Sequence, residues 1–132
     1  MSLKKILDHD RVRKIEGSFS WIDHRFITRG FLQDLSTIEI LLYLFLVAVS
    51  DRNGTSFYHD DRVCSILKIP LTSLGEARQS LIMRSLLAYE PPLYQVLSLP
   101  PHPVSPPARE EIRQRQQEGN LSHIRKIQET LQ

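Results

Sequence analysis

Hydrogen-bonding side chains of the kinds that bind nucleic acids are concentrated in one short stretch of the chain. They are Thr72, Ser73, Arg78, Gln79 and Arg84. Hydroxyls at the start of a helix can bind phosphate beside the free backbone amides there, which suits Thr72 and Ser73. Arginine and glutamine can form paired hydrogen bonds with base edges, which suits Arg78 and Gln79, while Arg84 suits the DNA backbone. The alternative interpretation is an ordinary solvated helix face, because any soluble helix presents polar residues outward.

Catalysis is a poor interpretation of the other polar clusters. Acidic residues lie beside histidine at Asp23-His24 and at His59-Asp60-Asp61. Neighbouring residues on a helix or strand point apart, so neither cluster is a ready-made ligand or catalytic set. Glycine-rich phosphate loops and paired zinc ligands are absent from the sequence. We therefore expect no enzyme activity, no cofactor and no metal site.

The composition is that of one compact domain with tails. The chain has 132 residues, 41% of them hydrophobic, and a net charge of +2, which is too small to identify a polyanionic partner. The single cysteine, Cys64, excludes an intrachain disulfide and suits a reducing cytoplasm. The longest apolar run, 40–49, is half of the roughly twenty residues that a membrane span needs. We predict a cytoplasmic protein with no membrane partner.

Residues 34–49 give the clearest prediction of a helix. Ser36 and Glu39 fit a capping box, in which each side chain bonds the backbone amide of the other residue. From Ile38 to Val49 the sequence is apolar on nearly every face, and such a helix has to be covered on most sides. This segment is therefore expected to be the central core helix.

A short strand, a helix, a tight turn and a second helix are expected next. The strand is predicted at 55–57. The helix after it has to stop at Ile69, because Pro70 disfavours the helical conformation there. The second helix is predicted from about Leu71 to Leu87. Its predicted inward residues are Leu74, Ala77, Leu81 and either Met83 or Leu86. Its predicted outward residues are Thr72, Ser73, Glu76, Gln79, Ser80 and Arg84, and Arg78 lies at the boundary.

Residues 87–99 predict a β-hairpin. Pro91 and Pro92 belong at its tip, because proline cannot donate a ladder hydrogen bond. The predicted fold class is therefore mainly α with a small β-hairpin, as a winged helix-turn-helix with a three-helix core, a wing and a C-terminal helical tail. The predicted divisions are a charged arm (1–17), the domain (18–99), a proline-rich linker (100–107) and the tail (108–132).

Two features outside the helix pair carry further expectations. Phe19, Trp21 and Phe26 are too large to leave exposed in a small domain, so we expect them to pack on the first helix. The tail has a thin apolar seam formed by Leu121, Ile124, Ile127 and Leu131. This seam could pack back on the domain, form a homodimer or dock on a partner protein.

The order of these motifs resembles the winged helix-turn-helix domains at the front of plasmid and phage replication initiators. The resemblance covers about residues 18–99. It rests on the run Phe19–Ile22, the Leu35-Ser36-x-x-Glu39 motif, the loop Asp51–Gly54, the short helix ending at Leu67, the run Ala77-Arg78-x-x-Leu81-Ile82 and the strand opening Ala88-Tyr89. It implies double-stranded DNA binding with the second helix in the major groove, in a regulatory or replication-associated role.

The charge distribution keeps an alternative open. Residues 18–99 hold seven Lys/Arg against eight Asp/Glu, while each tail holds five basic residues. Because DNA affinity depends strongly on neutralising phosphates, either the tails supply these contacts or the affinity is modest. The alternative is a winged helix that binds protein, as an accessory subunit of a larger complex.

Overall fold

The computed structural model describes residues 4–104, and this part of the chain contains four α-helices and three strands. The helices are α1 (Arg25–Thr28), α2 (Thr37–Val49), α3 (Asp60–Leu67) and α4 (Leu71–Met83), with 3-10 turns at His9–Arg11 and Leu32–Asp34. The strands are β1 (Thr55–Phe57), β2 (Leu87–Glu90) and β3 (Leu93–Val96). None of these helices is long and apolar enough to cross a membrane. The predicted tail lies outside the described residues.

The three strands form one antiparallel sheet in the order β1-β3-β2. The predicted hairpin is confirmed, with Tyr89 opposite Tyr94 and the two prolines at the tip. The predicted strand at 55–57 is also confirmed, and it adds a third member by pairing with β3. The fold is therefore mixed α/β, not mainly α with a lone hairpin. Gly54 permits this pairing, because a Cβ there would meet the Val96 carbonyl oxygen at 2.5 Å.

Helix α2 begins as predicted and is covered less than predicted. The Glu39 amide donates to Ser36 Oγ at 3.3 Å, and Glu39 Oε2 accepts from the Ser36 amide at 3.4 Å, which completes the capping box. One side of the helix is buried in the core, through Leu42, Tyr43, Leu46 and Val47. Leu41 and Leu44 are 41% and 36% exposed. The prediction that α2 is covered on most sides is therefore wrong for the side that carries Leu41 and Leu44.

Both helices of the pair end in a left-handed residue. Lys68 (φ 58°) follows α3, and Ser85 (φ 60°) follows α4. After α4, the Leu86 amide donates to the Leu81 carbonyl at 3.1 Å, the bond that closes a Schellman turn. This turn stops the helix before the predicted end at Leu87, so that the chain can enter β2.

Helix α4 buries two polar residues that its periodicity placed outward. Leu74, Ala77 and Leu81 are buried as predicted, but Ser80 is buried with them and Arg84 is only 8% exposed. Their partner is Glu39 on α2. Its Oε1 accepts from Ser80 Oγ at 2.8 Å and lies 3.5 Å from Arg84 Nε. One carboxylate thus caps α2 and holds the end of α4, which a periodicity pattern does not reveal.

The aromatic residues before α1 divide between core and surface. Phe26 is buried as expected and stacks on Tyr43, with 4.4 Å between ring centroids. Phe19 and Trp21 are 66% and 79% exposed, so the expectation that they pack is wrong. Ser20 Oγ lies within hydrogen-bond distance of the Ala48 and Ser50 carbonyls at the end of α2, at 3.3 and 3.1 Å. Because successive residues of an extended chain face opposite ways, the residues beside Ser20 point outward.

Replacing Glu39 tests whether its carboxylate joins α2 to α4. Glu39→Ala removes the cap and leaves the Arg84 cation buried without its partner, so we expect a loss of about 3 kcal/mol or more in the free energy of unfolding. Adding Arg84→Met should recover part of that loss, because the unpaired charge is then gone. Urea unfolding measures both effects. The control is Glu90→Ala, at an exposed position in β2. Equal effects of Glu39→Ala and Glu90→Ala would contradict the assignment.

Candidate nucleic-acid interface

A three-residue turn, Lys68-Ile69-Pro70, joins α3 to α4 and leaves one side of α4 at the surface. Thr72, Glu76, Gln79 and Met83 lie on this side, since they recur three or four residues apart. Thr72 is exposed and the other three are half-buried. We call this surface the α4 face. Its four side chains supply a hydroxyl, an amide, a carboxylate and a thioether.

The first turn of α4 offers hydrogen-bond donors to an anion. Pro70 is the N-cap residue, makes no side-chain cap, and is followed by a first turn without acidic residues. The first amides of a helix have no partner within it, and they form the positive end of the helix dipole. Thr72 and Ser73 lie in this turn, with Thr72 exposed and Ser73 half-buried. The predicted placement of both hydroxyls near the surface is therefore found.

Arg78 is held by three neighbouring elements. Its Nη1 donates to Asp60 Oδ1 at 2.7 Å and to the Tyr94 hydroxyl at 2.9 Å, and its Nη2 donates to Asp60 Oδ2 at 3.3 Å. The guanidinium also lies 4.2 Å from the centre of the Tyr89 ring. These contacts join α4 to α3, β3 and β2. Arg78, predicted at the boundary between the inward and outward sides of α4, therefore connects the helix to the rest of the fold.

The network changes how its members ionise. Burial opposes the charged form of Arg78, yet the hydrogen bonds to Asp60 and Tyr94 raise the pKa of the guanidinium above its ordinary value. Burial raises the pKa of Tyr89 to about 12, against the nearby Arg78 charge. Burial also raises the pKa of Tyr94. Arg78 is therefore a permanent cation, and the two tyrosines remain neutral at physiological pH.

The five predicted site residues divide into two groups. Thr72, Ser73 and Gln79 are at or near the surface, where a ligand can reach them. Arg78 is bound to Asp60 with only 14% of its side chain exposed, and Arg84 is turned toward Glu39 instead of outward. The structure therefore brings together the uncharged members of the predicted set and directs both arginines into the fold.

Free basic charge lies beside the helix pair, not on α4. Arg62 on α3 and Lys68 in the turn are exposed. The arm preceding α1 is exposed throughout residues 4–19 and carries Lys4, Lys5, Arg11, Arg13 and Lys14. Asp61 and Glu76 add negative charge near the same helices. A polyanion at the α4 face would therefore depend on cations from outside it.

The partners of Arg78 were missed at the sequence level, although one signal was available. In a hairpin with Pro91 and Pro92 at its tip, Tyr89 and Tyr94 fall opposite each other. Their rings lie 4.5 Å apart, between centroids. An opposed pair of aromatic side chains offers ring faces on which an arginine can stack. Nothing in the sequence pattern indicates that this arginine is Arg78, because the contact depends on how α4 crosses the hairpin.

Within residues 4–104, no group of three or more His, Cys, Asp or Glu side chains could hold a metal ion. The Cys64 thiol is half-buried, and burial together with the nearby Asp60 charge raises its pKa. A cysteine with a raised pKa is a weak nucleophile at neutral pH. Among the described residues, Cys64 is therefore not activated as a nucleophile.

Truncating Arg78 tests its internal role. Arg78→Ala leaves the half-buried Asp60 carboxylate without its cation and removes one donor from the Tyr94 hydroxyl, so we expect a loss of about 2 kcal/mol in the free energy of unfolding. The neighbouring change Gln79→Ala should cost less than about 0.5 kcal/mol, as surface substitutions usually do. Denaturant titration of both variants decides the point. Equal stability of the two variants would place Arg78 outside the network.

Alkaline pH should weaken the fold through the same cluster. An unfolded tyrosine ionises near pH 10, while folded Tyr89 has a pKa of about 12. Between these pH values the unfolded chain has lost a proton that the folded chain keeps, so the free energy of unfolding falls as pH rises. Tyrosinate absorbance, recorded for folded and denatured protein, should show a late-titrating component. Tyr89→Phe should remove part of it; an unchanged profile would contradict the assignment.

Comparisons with known proteins add no family to these observations. No model of a protein family matches the sequence, no curated protein matches it, and no solved structure matches the fold. The interpretation of the α4 face therefore depends on its own geometry and charge.

Proposed function

We propose that the chain is a winged helix-turn-helix protein that binds double-stranded DNA through the α4 face. The observation that carries this proposal is the order of α2, β1, α3, α4 and the β2–β3 hairpin, with only three residues between α3 and α4. In such an arrangement the first helix of the pair supports the second, and the second enters the major groove. The hairpin that follows α4 is in the position of a wing. A regulatory or replication-associated role remains part of the proposal.

Direct reading of bases falls to Gln79 in this proposal. Gln79 lies between Thr72 and Met83 on the exposed side of α4, and an amide side chain can form two hydrogen bonds with adenine. Thr72 and Ser73 lie at the helix start, where their hydroxyls and the free amides suit phosphate oxygens. Arg78 and Arg84 are left out of the contact set because Asp60 and Glu39 hold them. They fix the direction of α4.

Phosphate neutralisation falls to cations outside α4. Lys68 lies in the turn before α4, Arg62 is exposed on α3, and the exposed arm before α1 supplies further lysines and arginines. Each phosphate contact changes the logarithm of the binding constant by about −0.9 per tenfold rise in salt. A domain with few such cations should therefore bind weakly at physiological salt, with a shallow salt dependence that the arm steepens.

A second candidate function, binding to a protein partner, is favoured by a different observation. The two arginines at and beside α4 are used inside the fold, and Glu76 lies on the α4 face itself. A surface of mixed polar and apolar side chains without free arginine suits a polypeptide at least as well as a phosphate backbone. In this case the chain would be an accessory subunit of a larger complex.

Placing a negative charge on the α4 face separates the two candidates. Gln79→Glu should weaken binding of the full chain to generic duplex DNA by about tenfold or more. The new carboxylate is repelled by the phosphates, and the amide group that could donate a hydrogen bond to adenine is gone. Gln33→Glu is the matched control, since it makes the same change at an exposed position before α2. Fluorescence anisotropy with labelled duplex, titrated at several salt concentrations, measures both.

The outcomes are distinct. Weaker binding of Gln79→Glu alone, with a salt slope that falls when Arg13 and Lys14 become alanine, supports the proposed contacts. Absence of binding by the wild-type chain even at low salt overturns the DNA proposal and leaves the protein partner. Equal weakening by Gln33→Glu would move the interface away from α4.

A further inference from the structure

An apolar face without a described partner runs along α2 and onto the segment before α1. It consists of Leu41, Leu44 and Ala48 on α2, with Phe19 and Trp21 beside them, and we call it the α2 face. The three α2 residues recur three and four positions apart, so they lie on one side of the helix. All five are classed as exposed, and Trp21 is 79% exposed.

The two parts of this face meet at the end of α2. Ser20 binds the carbonyls of Ala48 and Ser50, which fixes the extended segment against the helix. Phe19, Trp21 and Ala48 then line one open cleft of about 680 Å³, together with Tyr58 and with polar residues that include Asp51 and Arg52. The aromatic side chains are thus held at the surface by a specific backbone attachment, and the cleft reaches the strip of α2 at Ala48.

The chemistry of the α2 face does not suit DNA. Glu39 is the only charged residue of α2, and its carboxylate is directed to Ser80 and Arg84 on α4. The exposed strip itself carries no charge. An apolar partner therefore suits the strip on α2, while Asp51 and Arg52 add charge only in the cleft beside Ala48.

The size of the face argues against a second copy of the chain. Aromatic side chains bury 150–250 Å² each, so Phe19 and Trp21 together expose on the order of 300 Å². Leu41 and Leu44 are less than half exposed and add a smaller area. A stable interface buries roughly 800 Å² per partner. A tethered segment needs less area, because its effective concentration is in the millimolar range for a short flexible linker.

The chain itself supplies such a segment beyond its described part. Residues 121–131 carry Leu121, Ile124, Ile127 and Leu131 three or four positions apart, the spacing of a helix that presents one apolar side. The described chain ends at Val104, which is half-buried. The sixteen residues 105–120 can span up to about 50 Å, well beyond the roughly 13 Å radius of gyration of a 100-residue domain.

We propose that residues 121–131 dock on the α2 face of the same chain. In this proposal the seam of leucine and isoleucine covers Leu41, Leu44 and the cleft beside Ala48. The contact removes an exposed apolar patch and leaves the α4 face open. This proposal does not depend on what α4 binds.

The single tryptophan of the chain provides the test, because Trp21 is part of the α2 face. In the full-length protein the docked segment should shield Trp21 from acrylamide and shift its emission to the blue. Ile124→Glu places a charge in the seam, so we expect a several-fold rise in the quenching constant. Ser122→Glu is the matched control, because it makes the same change in charge on the opposite side of the predicted helix.

Two further measurements keep the test decisive. Leu41→Glu, at an exposed position in the domain, should expose Trp21 as Ile124→Glu does, and circular dichroism confirms that each variant keeps its helices. The wild-type quenching constant should not change with protein concentration. Equal quenching in wild type, Ile124→Glu and Ser122→Glu overturns the proposal. Shielding that disappears on dilution, together with the mass of a dimer, also overturns it in favour of a second copy.

Discussion

The position of α4 depends on two arginine–carboxylate contacts that connect it to different neighbouring helices. Arg78 binds Asp60 on α3 and the Tyr94 hydroxyl on β3, at distances of 2.7 to 3.3 Å. Arg84, just beyond the end of α4, lies 3.5 Å from the Glu39 carboxylate of α2. A partly buried ion pair contributes little net stability, but breaking one is costly, so it selects one arrangement over its neighbours. These two contacts are therefore expected to fix the rotation of α4 against α3 and α2.

This constraint explains why the outer side of α4 has so little charge. The arginines that a polyanion would use are the same ones that orient the helix, and a guanidinium with both carboxylate oxygens already bound has few donors left. Exposed Thr72 and half-buried Gln79 on the α4 face are neutral. Any affinity for phosphate therefore has to come from residues next to the helix pair, such as Lys68, and from the exposed arm. The residues that orient α4 and the residues that could attract phosphate therefore lie in different parts of the chain.

The sequence predicts what local rules determine. The capping box of Ser36 and Glu39, the stop before Pro70 and the two-proline hairpin tip each depend on residues within a few positions, and each is found. Prediction from the sequence fails where a partner on another element decides which way a side chain is directed. Arg84 is polar at an outward spacing, but Glu39 lies across from it. Among the candidate site residues, the exposure of Thr72 followed from spacing, while the attachment of Arg78 depends on the crossing of α4 over the hairpin.

The α4 face and the α2 face are chemically different, and the same contacts relate them. Glu39 lies on α2 and binds Ser80 and Arg84, so the two faces belong to helices joined by direct hydrogen bonds and by a shared core. Coupling between sites requires an element with two arrangements that each ligand favours unequally. Helices α2 and α4, which these hydrogen bonds join, offer one arrangement relative to each other. Cover on the α2 face should therefore act on the stability of the domain, and through it on the population able to bind, without changing the intrinsic affinity of α4.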